Sequence, residues 1–225
     1  MIQDLINNRY SARKWLDKSI EQEKIDYIID CAYNAPSKQS LYPWTLYVLD
    51  ESPKCKEFKD WLFWNDTWCY KGQRLAEQGQ HSNEKRFNGQ YKAPLLLLWA
   101  HRNLTNTEED YAQWIQQRNL IDMTVSSSFA LLAAEELGLR TCFGKCHSVE
   151  YTDTFLDKGT VNVGLALGIG YAKDDDNNDI MLFPVTKDNQ VQGYDTKNLN
   201  QNYPVYKHST RKNKPDKNKL VRHLK

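Results

Sequence analysis

The stretch at residues 161–169 restricts the fold of this chain more than any other. Val161, Val163, Leu165, Leu167 and Ile169 alternate with Asn162, Gly164, Ala166 and Gly168. A period of two puts the bulky side chains on one face of a strand and leaves the other face nearly bare, so a helix backbone can approach that face closely. Three other short apolar stretches read as strands: Trp44–Leu49, residues 95–99 after Pro94, and residues 139–143. The first two are expected to be buried.

Helical spacing fills much of the remainder. Ile2, Leu5 and Ile6 fall on one side of a short first helix. Ser19 and Gln22 have the spacing of a capping box, and Ile25, Ile28, Ile29 and Ala32 recur at helical intervals until Pro36. Residues 108–137 read as one long helix, with Ile121, Val125, Phe129, Leu132 and Ala133 as its apolar face and Gly138 placed for a left-handed cap. Ser126, Ser127 and Ser128 in its middle are small enough to let another helix come close, as at the centre of a dimer. Two helices are expected in residues 53–90, where Trp61, Trp64 and Trp68 form a helical stripe suited to a core or a subunit contact. Irregular alternation of helices and strands predicts a mixed α+β sheet flanked by helices. Residues 1–205 are expected to form one domain, and 206–225 an extended C-terminal arm.

Composition and charge narrow the functional classes. Hydrophobic residues make up 40% of the 225 and charged residues 26%, which excludes a disordered chain. The longest apolar run is residues 93–100, against about 20 needed to cross a bilayer, so no membrane span is expected. No apolar signal region opens the chain, which makes the cytoplasm the expected compartment. Five scattered cysteines without a C-x-x-C pair fit reduced thiols, and no metal site is expected from Cys142, Cys146 and His147. Residues 207–225 carry eight Lys or Arg against Asp216, a net of +7 that leaves −6 for the rest of a +1 chain. Such an arm is solvated or binds phosphate, and nucleic acid is an unlikely partner. The acidic run at 173–179 reads as a polar turn. Neither a G-x-S-x-G nor a phosphate-cradling G-x-x-x-x-G-K-[ST] occurs, and no dinucleotide fingerprint is present.

Two motifs carry positive information. Arg9, Ser11 and Arg13 stand at i, i+2 and i+4, so an extended segment would turn two guanidinium groups and a hydroxyl to one side, a receptor for phosphate through charge-assisted hydrogen bonds. Residues 35–44, APSKQSLYPW, pack a helix end, a polar loop and a strand start into ten positions.

Taken in order, R-Y-S-A-R, a helix, then A-P-S…P-W leading into a strand resembles the N-terminal signature of the nitroreductase-like flavoproteins, R-x-S-x-[RK] followed by A-P-S-S-x-N-x-Q-P-W. The long helix with the strand after it, and the strand ending at Tyr171, are similar to that family's central helix and its later strands. The resemblance covers about residues 1–50 and 120–172. It implies an α+β, domain-intertwined homodimer with FMN at the subunit interface. It further implies an FMN-dependent oxidoreductase that takes hydride from NAD(P)H and passes it through flavin N5 to a small acceptor, a nitroaromatic, quinone or related molecule, by a ping-pong mechanism. No side chain is then required as a catalytic nucleophile, because the flavin carries the chemistry.

The family's cofactor-binding roles carry over to Arg9, Ser11 and Arg13, to Pro36, Ser37 and Ser40 of the loop from the other subunit, to the turn Gly144 and Lys145 toward flavin N5, and to Arg211 in the tail. Lys85, Arg86 and Asn88 are candidates for the family's mid-chain contacts. Lys38, Ser40 and Tyr42 depart from the pattern, standing where the family has Ser, Asn and Gln. Those departures leave one alternative, a flavin-binding or interaction protein without reductase turnover, and the +7 tail leaves another, a nucleic-acid binder.

Overall fold

The computed structural model describes residues 2–65, 89–101, 109–144 and 161–172, all within one compact unit. Helix α1 is Ile2–Asn8, α2 Gln22–Tyr33, α3 Pro53–Asn65 and α4 Glu109–Glu136. Strands β1 Trp44–Leu49, β2 Leu95–His101, β3 Arg140–Gly144 and β4 Val161–Gly170 form one sheet in the order β1-β2-β4-β3, with every neighbouring pair antiparallel. Ser11 adds a parallel bridge to Thr141, and Trp15 an antiparallel bridge to Ala172. The sheet is therefore mixed and flanked by helices, as the periodicities predict.

The two faces of the sheet have separate cores. Leu95, Leu97, Trp99, Leu167 and Ile169 point to the side of α2 and α4, where they meet Ile25, Ile28, Ala32, Met123 and Ala130. Leu96, Leu98, Ala100 and Ala166 point the other way, onto Phe58 and Leu62 of α3 and onto Tyr91. Strand β2 is buried throughout apart from His101, which explains its near-continuous apolar run. Only the two end residues of β1 are fully buried, so it is a half-buried edge strand rather than the buried one expected.

The bare face of β4 is used, though not by a helix axis. A Cβ on Gly168 would lie 2.5 Å from the carbonyl oxygen of Gln90, in the 3-10 turn Gly89–Lys92. Gly164 lies where the β2–β4 register shifts between Trp99 and Ala100, and its missing side chain leaves room for the Met123 methyl.

Helix α4 keeps Leu132 and Ala133 of its expected face at the core but turns the earlier part of that face outward. Asn119, Asp122, Met123, Ser126, Ser127, Ala130 and Ala134 are buried, whereas Ile121 is 63% and Phe129 43% exposed. Asp122 and Ser126 go inside because they find partners there. The Trp99 Nε1–H donates to Ser126 Oγ at 2.9 Å, and the Ser126 hydroxyl donates to the Ala32 carbonyl at 2.8 Å, which joins β2, α4 and α2. The small side chain of Ser126 thus admits the chain's own α2.

Helix termini also depart from expectation in one place. The N-cap of α2 is Glu21, with no side-chain cap, so Ser19 and Gln22 do not form a capping box. Glu21 is held elsewhere: Tyr171 donates its hydroxyl to Oε2 at 2.7 Å, while Lys24 Nζ lies 3.3 Å from the same oxygen. The end of α4 does follow expectation. Gly138 has φ +76°, its N–H donates to the Glu135 carbonyl at 3.1 Å, and the Leu139 N–H donates to the Ala134 carbonyl at 3.0 Å, a Schellman closure.

Among the described residues, Cys31, Cys55 and Cys142 are free thiols, and no helix is long and apolar enough to cross a membrane. Trp61 packs at the edge of the α3 core. The expected second helix in 53–90, Trp68, the side chain of Trp64 and the acidic run at 173–179 lie outside what is described.

Candidate functional site

The segment that carries Arg9, Ser11 and Arg13 is extended and docks on the open edge of β3, where the Ala12 N–H donates to the Thr141 carbonyl at 3.0 Å. Burial follows the period of two. Tyr10 and Ala12 are buried in the core, and Arg9, Ser11 and Arg13 are half-buried on the opposite side. Burial pushes the Cys142 thiol in the middle of β3 up, an effect opposed by the charges of Arg13 and Arg9. Cys142 is 2% exposed and is packing, not a nucleophile. Arg13 Nη1 also donates to the Ser11 carbonyl at 2.9 Å.

Three features fix this segment from behind. Glu135, at the end of α4, is buried and accepts from Thr141 Oγ1 at 2.8 Å and from Arg140 Nη1 at 2.9 Å. Its carboxyl is raised by burial, an effect opposed by those two hydrogen bonds and by the charges of Arg140 and Arg9. The Leu16 N–H donates to the Tyr171 carbonyl at 2.8 Å. The Trp15 Nε1–H donates to the Gly89 carbonyl at 2.8 Å, and a Cβ on Gly89 would lie 2.5 Å from the Arg13 carbonyl oxygen. A Cβ on Gly144 would lie 2.3 Å from Gln90 Nε2, so the residue expected to face flavin N5 is packed against the same turn. Lys145, Arg211, Lys85, Arg86 and Asn88 lie outside the described residues.

The loop before β1 lies at the opposite sheet edge. Four strand spacings separate it from the Arg9–Ser11–Arg13 segment, about 19 Å across the sheet. Pro36 and Ser40 are exposed there, and Ser37 is half-buried. Gln39, Ser40 and Tyr42 have φ of 58°, 53° and 42°, left-handed values that cost a non-glycine residue about 1–2 kcal/mol each. Helix α4 supplies the compensation. The Ser37 hydroxyl donates to Asp122 Oδ2 at 2.8 Å, the Lys38 N–H donates to the same oxygen at 3.2 Å, and the Tyr42 N–H donates to Ser37 Oγ at 3.0 Å. Tyr42 stacks on Tyr33, with ring centroids 5.9 Å apart, and meets Trp44 edge-on.

Beyond Arg13, a cleft of about 370 Å³ is lined by Trp15, Lys18, Lys56, Lys59, Asp60 and Lys92, among others. Five of its charged residues are paired with one another. Buried Lys59 donates to Glu51 and to the carbonyls of Ala93 and Pro94, Lys92 pairs with Asp60, and Lys56 lies 3.7 Å from Glu51. Among the described residues, no group of His, Cys, Asp and Glu could hold a metal ion; Cys146 and His147 lie outside them.

Sequence reasoning missed Asp122, Glu135 and the turn at Gly89–Lys92. Asp122 had a signal: a carboxylate three residues from Asn119 and four from Ser126 marks a polar stripe on one helix face. Gln90 had none.

Comparison with known proteins agrees with this fold. The model of the Nitroreductase family matches residues 6–171. Among solved structures, an FMN-dependent nitroreductase from Clostridium difficile R20291 superposes with a TM-score of 0.53 at 24% identity, over 76% of this chain and 87% of that one. A nitroreductase with bound FMN from Bacteroides fragilis NCTC 9343 gives 0.59 at 19% identity, over 82% and 93%. An iodotyrosine deiodinase bound to FMN and 3-iodo-L-tyrosine gives 0.59 at 18% identity, over 84% and 100%. None of the curated proteins matches the chain in sequence. With its family model spanning both sheet edges and the strands between them, the chain belongs to the nitroreductase family.

Proposed function

We propose that this chain is an FMN-dependent oxidoreductase that works as a homodimer, taking hydride from NAD(P)H and delivering it to a small acceptor such as a nitroaromatic or a quinone by a ping-pong mechanism. The observation that carries the reading is the alternation at residues 9–13. Two guanidinium groups and a hydroxyl share the outward side of a segment whose other side chains are core. That donor set fits a phosphorylated, ring-bearing anion. Arg9 and Ser11 hold the phosphate and ribityl end, and Arg13 lies at the pyrimidine edge, where a fixed positive charge favours negative charge.

Bound FMN supplies the hydride relay at N5, and the chain supplies binding, orientation and electrostatics. The second copy is supported by the distance across the sheet: Pro36, Ser37 and Ser40 stand about 19 Å from the arginines of their own chain, and in this reading they serve the site of the partner subunit. Exposed Leu120, Ile121 and Phe129 on α4 give that partner an apolar surface. A second reading, a flavin binder without turnover, is motivated by Lys38, Ser40 and Tyr42, which replace the family's Ser, Asn and Gln.

Purified protein decides both points. It should be yellow, release FMN rather than FAD on denaturation, and run at about twice the 26.4 kDa chain mass on gel filtration. NADH or NADPH oxidation with menadione or a nitrofuran should exceed that of free FMN. Flavin without turnover would favour the second reading, and a colourless monomer that ignores added FMN would overturn both.

A further inference from the structure

The reductase chemistry leaves unexplained a buried carboxylate far from the arginines. Asp122 is 4% exposed on α4, and the donors on it are the Ser37 hydroxyl and the Lys38 N–H. Ser37 Oγ in turn accepts the Tyr42 N–H, so one hydroxyl ties both ends of the loop to one carboxylate. Between those ties stand Gln39 and Ser40 in left-handed conformations. One helical turn further on, Ser126 fastens the same helix to Trp99 and to the Ala32 carbonyl. The position of Asp122 is therefore set by the core, and the loop takes its shape from Asp122.

We propose that Asp122 is a positioning residue for flavin binding in trans: it holds loop 37–42 in the conformation that meets the flavin in the partner subunit. The inference rests on the two-chain flavin site proposed above. The Ser37 hydroxyl proton is directed at Asp122 on α4 of its own chain, so Ser37 acts on the flavin through loop shape and backbone. Removing the carboxylate releases the loop while leaving Arg9, Ser11 and Arg13 in place at the far edge.

The test uses full-length protein, wild type beside Asp122→Ala, Asp122→Asn, Ser37→Ala, Ser37→Thr and the Asp122→Ala/Ser37→Ala double variant. FMN affinity is measured by fluorescence quenching on the stripped dimer, bound flavin by visible circular dichroism, and loop order by amide hydrogen exchange without flavin. In Asp122→Ala and Ser37→Ala, exchange at Lys38 and Tyr42 should quicken, the FMN dissociation constant should rise about tenfold, and the flavin dichroism should change. The double variant should lose less than the sum of the two single losses, since both break the Ser37–Asp122 hydrogen bond. Ser37→Thr should restore binding, and Asp122→Asn should fall between.

Faster exchange with unchanged FMN affinity and dichroism would overturn the proposal and leave Asp122 a tether only. Should Asp122→Ala fail to fold, Ser37→Ala decides the matter by the same readouts. A wild-type protein that binds no FMN would instead remove the two-chain site, and this inference with it.

Discussion

The two edges of the sheet are built by opposite means. At the β3 edge, the Arg9–Ser11–Arg13 segment is ordinary extended backbone, held by ladder-type bonds at Ala12 and Leu16 and buried on alternate residues. At the β1 edge, the loop bends through three left-handed non-glycine residues and depends on one buried carboxylate for its shape. The charged edge needs only a strand, because the period of two already aligns its donors. In the proposed two-chain site the other edge reaches outward from the fold, and no regular element provides that geometry, so strain is accepted and a helix side chain offsets it.

The largest effect should come from the charged edge. Arg13→Ala removes charge-assisted hydrogen bonds worth about 1.5–3 kcal/mol, so FMN affinity should fall roughly 10- to 100-fold while the melting temperature changes little. Titration of the stripped protein with FMN measures it. An unchanged affinity would reverse the assignment of the two edges.

A smaller effect of opposite sign is expected at the loop. Gln39, exposed with φ 58° and ψ 22°, has the backbone of a glycine. Gln39→Gly should raise stability by about 0.5–1 kcal/mol, the relief of strain less the added chain entropy, whereas Gln39→Val should lower it. Denaturant unfolding of the two variants checks the sign. Equal losses in both would mean that the loop is not strained at this residue.

The smallest effect concerns the far end of the charged segment, where the Tyr171 carbonyl accepts Leu16 and the Tyr171 hydroxyl accepts from Lys24 at 2.7 Å and donates to Glu21. The Tyr171 hydrogen bond, with Lys24 beside it, brings the Glu21 carboxyl from its usual 4.5 down to about 2. The native state therefore binds fewer protons than the unfolded chain in this window. The stabilisation from Glu21 is complete above pH 4.5 and disappears as pH falls toward 2. In Tyr171→Phe, the Glu21 titration followed by NMR should move back toward 4.5, and the acid limb of the stability profile should flatten.

Legibility in the sequence followed the range of the forces involved. The strands, the long helix and its Gly138 cap were readable, because period and cap chemistry are local. The Arg9–Ser11–Arg13 alternation was readable for the same reason. The face of α4 was not. Its aliphatic stripe at Ile121, Val125 and Phe129 looks like core in isolation, and only the hydroxyl–carbonyl link through Ser126 and the Asp122 tie show why the polar stripe goes inward. The capping box failed in the same way, since the partner of Glu21 stands 150 positions away. Contacts made across the fold leave no periodic trace, so Gln90 becomes visible only in the folded chain, and the polar stripe that holds Asp122 does not name its partner in the loop.

The tetrapeptide Gly89–Lys92 touches Arg13 through Gly89, while its Gln90 fills the space left by Gly144 and Gly168. One added methyl at Gly89 would strike Arg13 itself, and at Gly168 it would press on the Gln90 backbone of the turn that abuts Arg13. Impaired cofactor retention can therefore originate from a position with no ligand contact at all, and a variant there would pass for a folding defect until its flavin content was assayed.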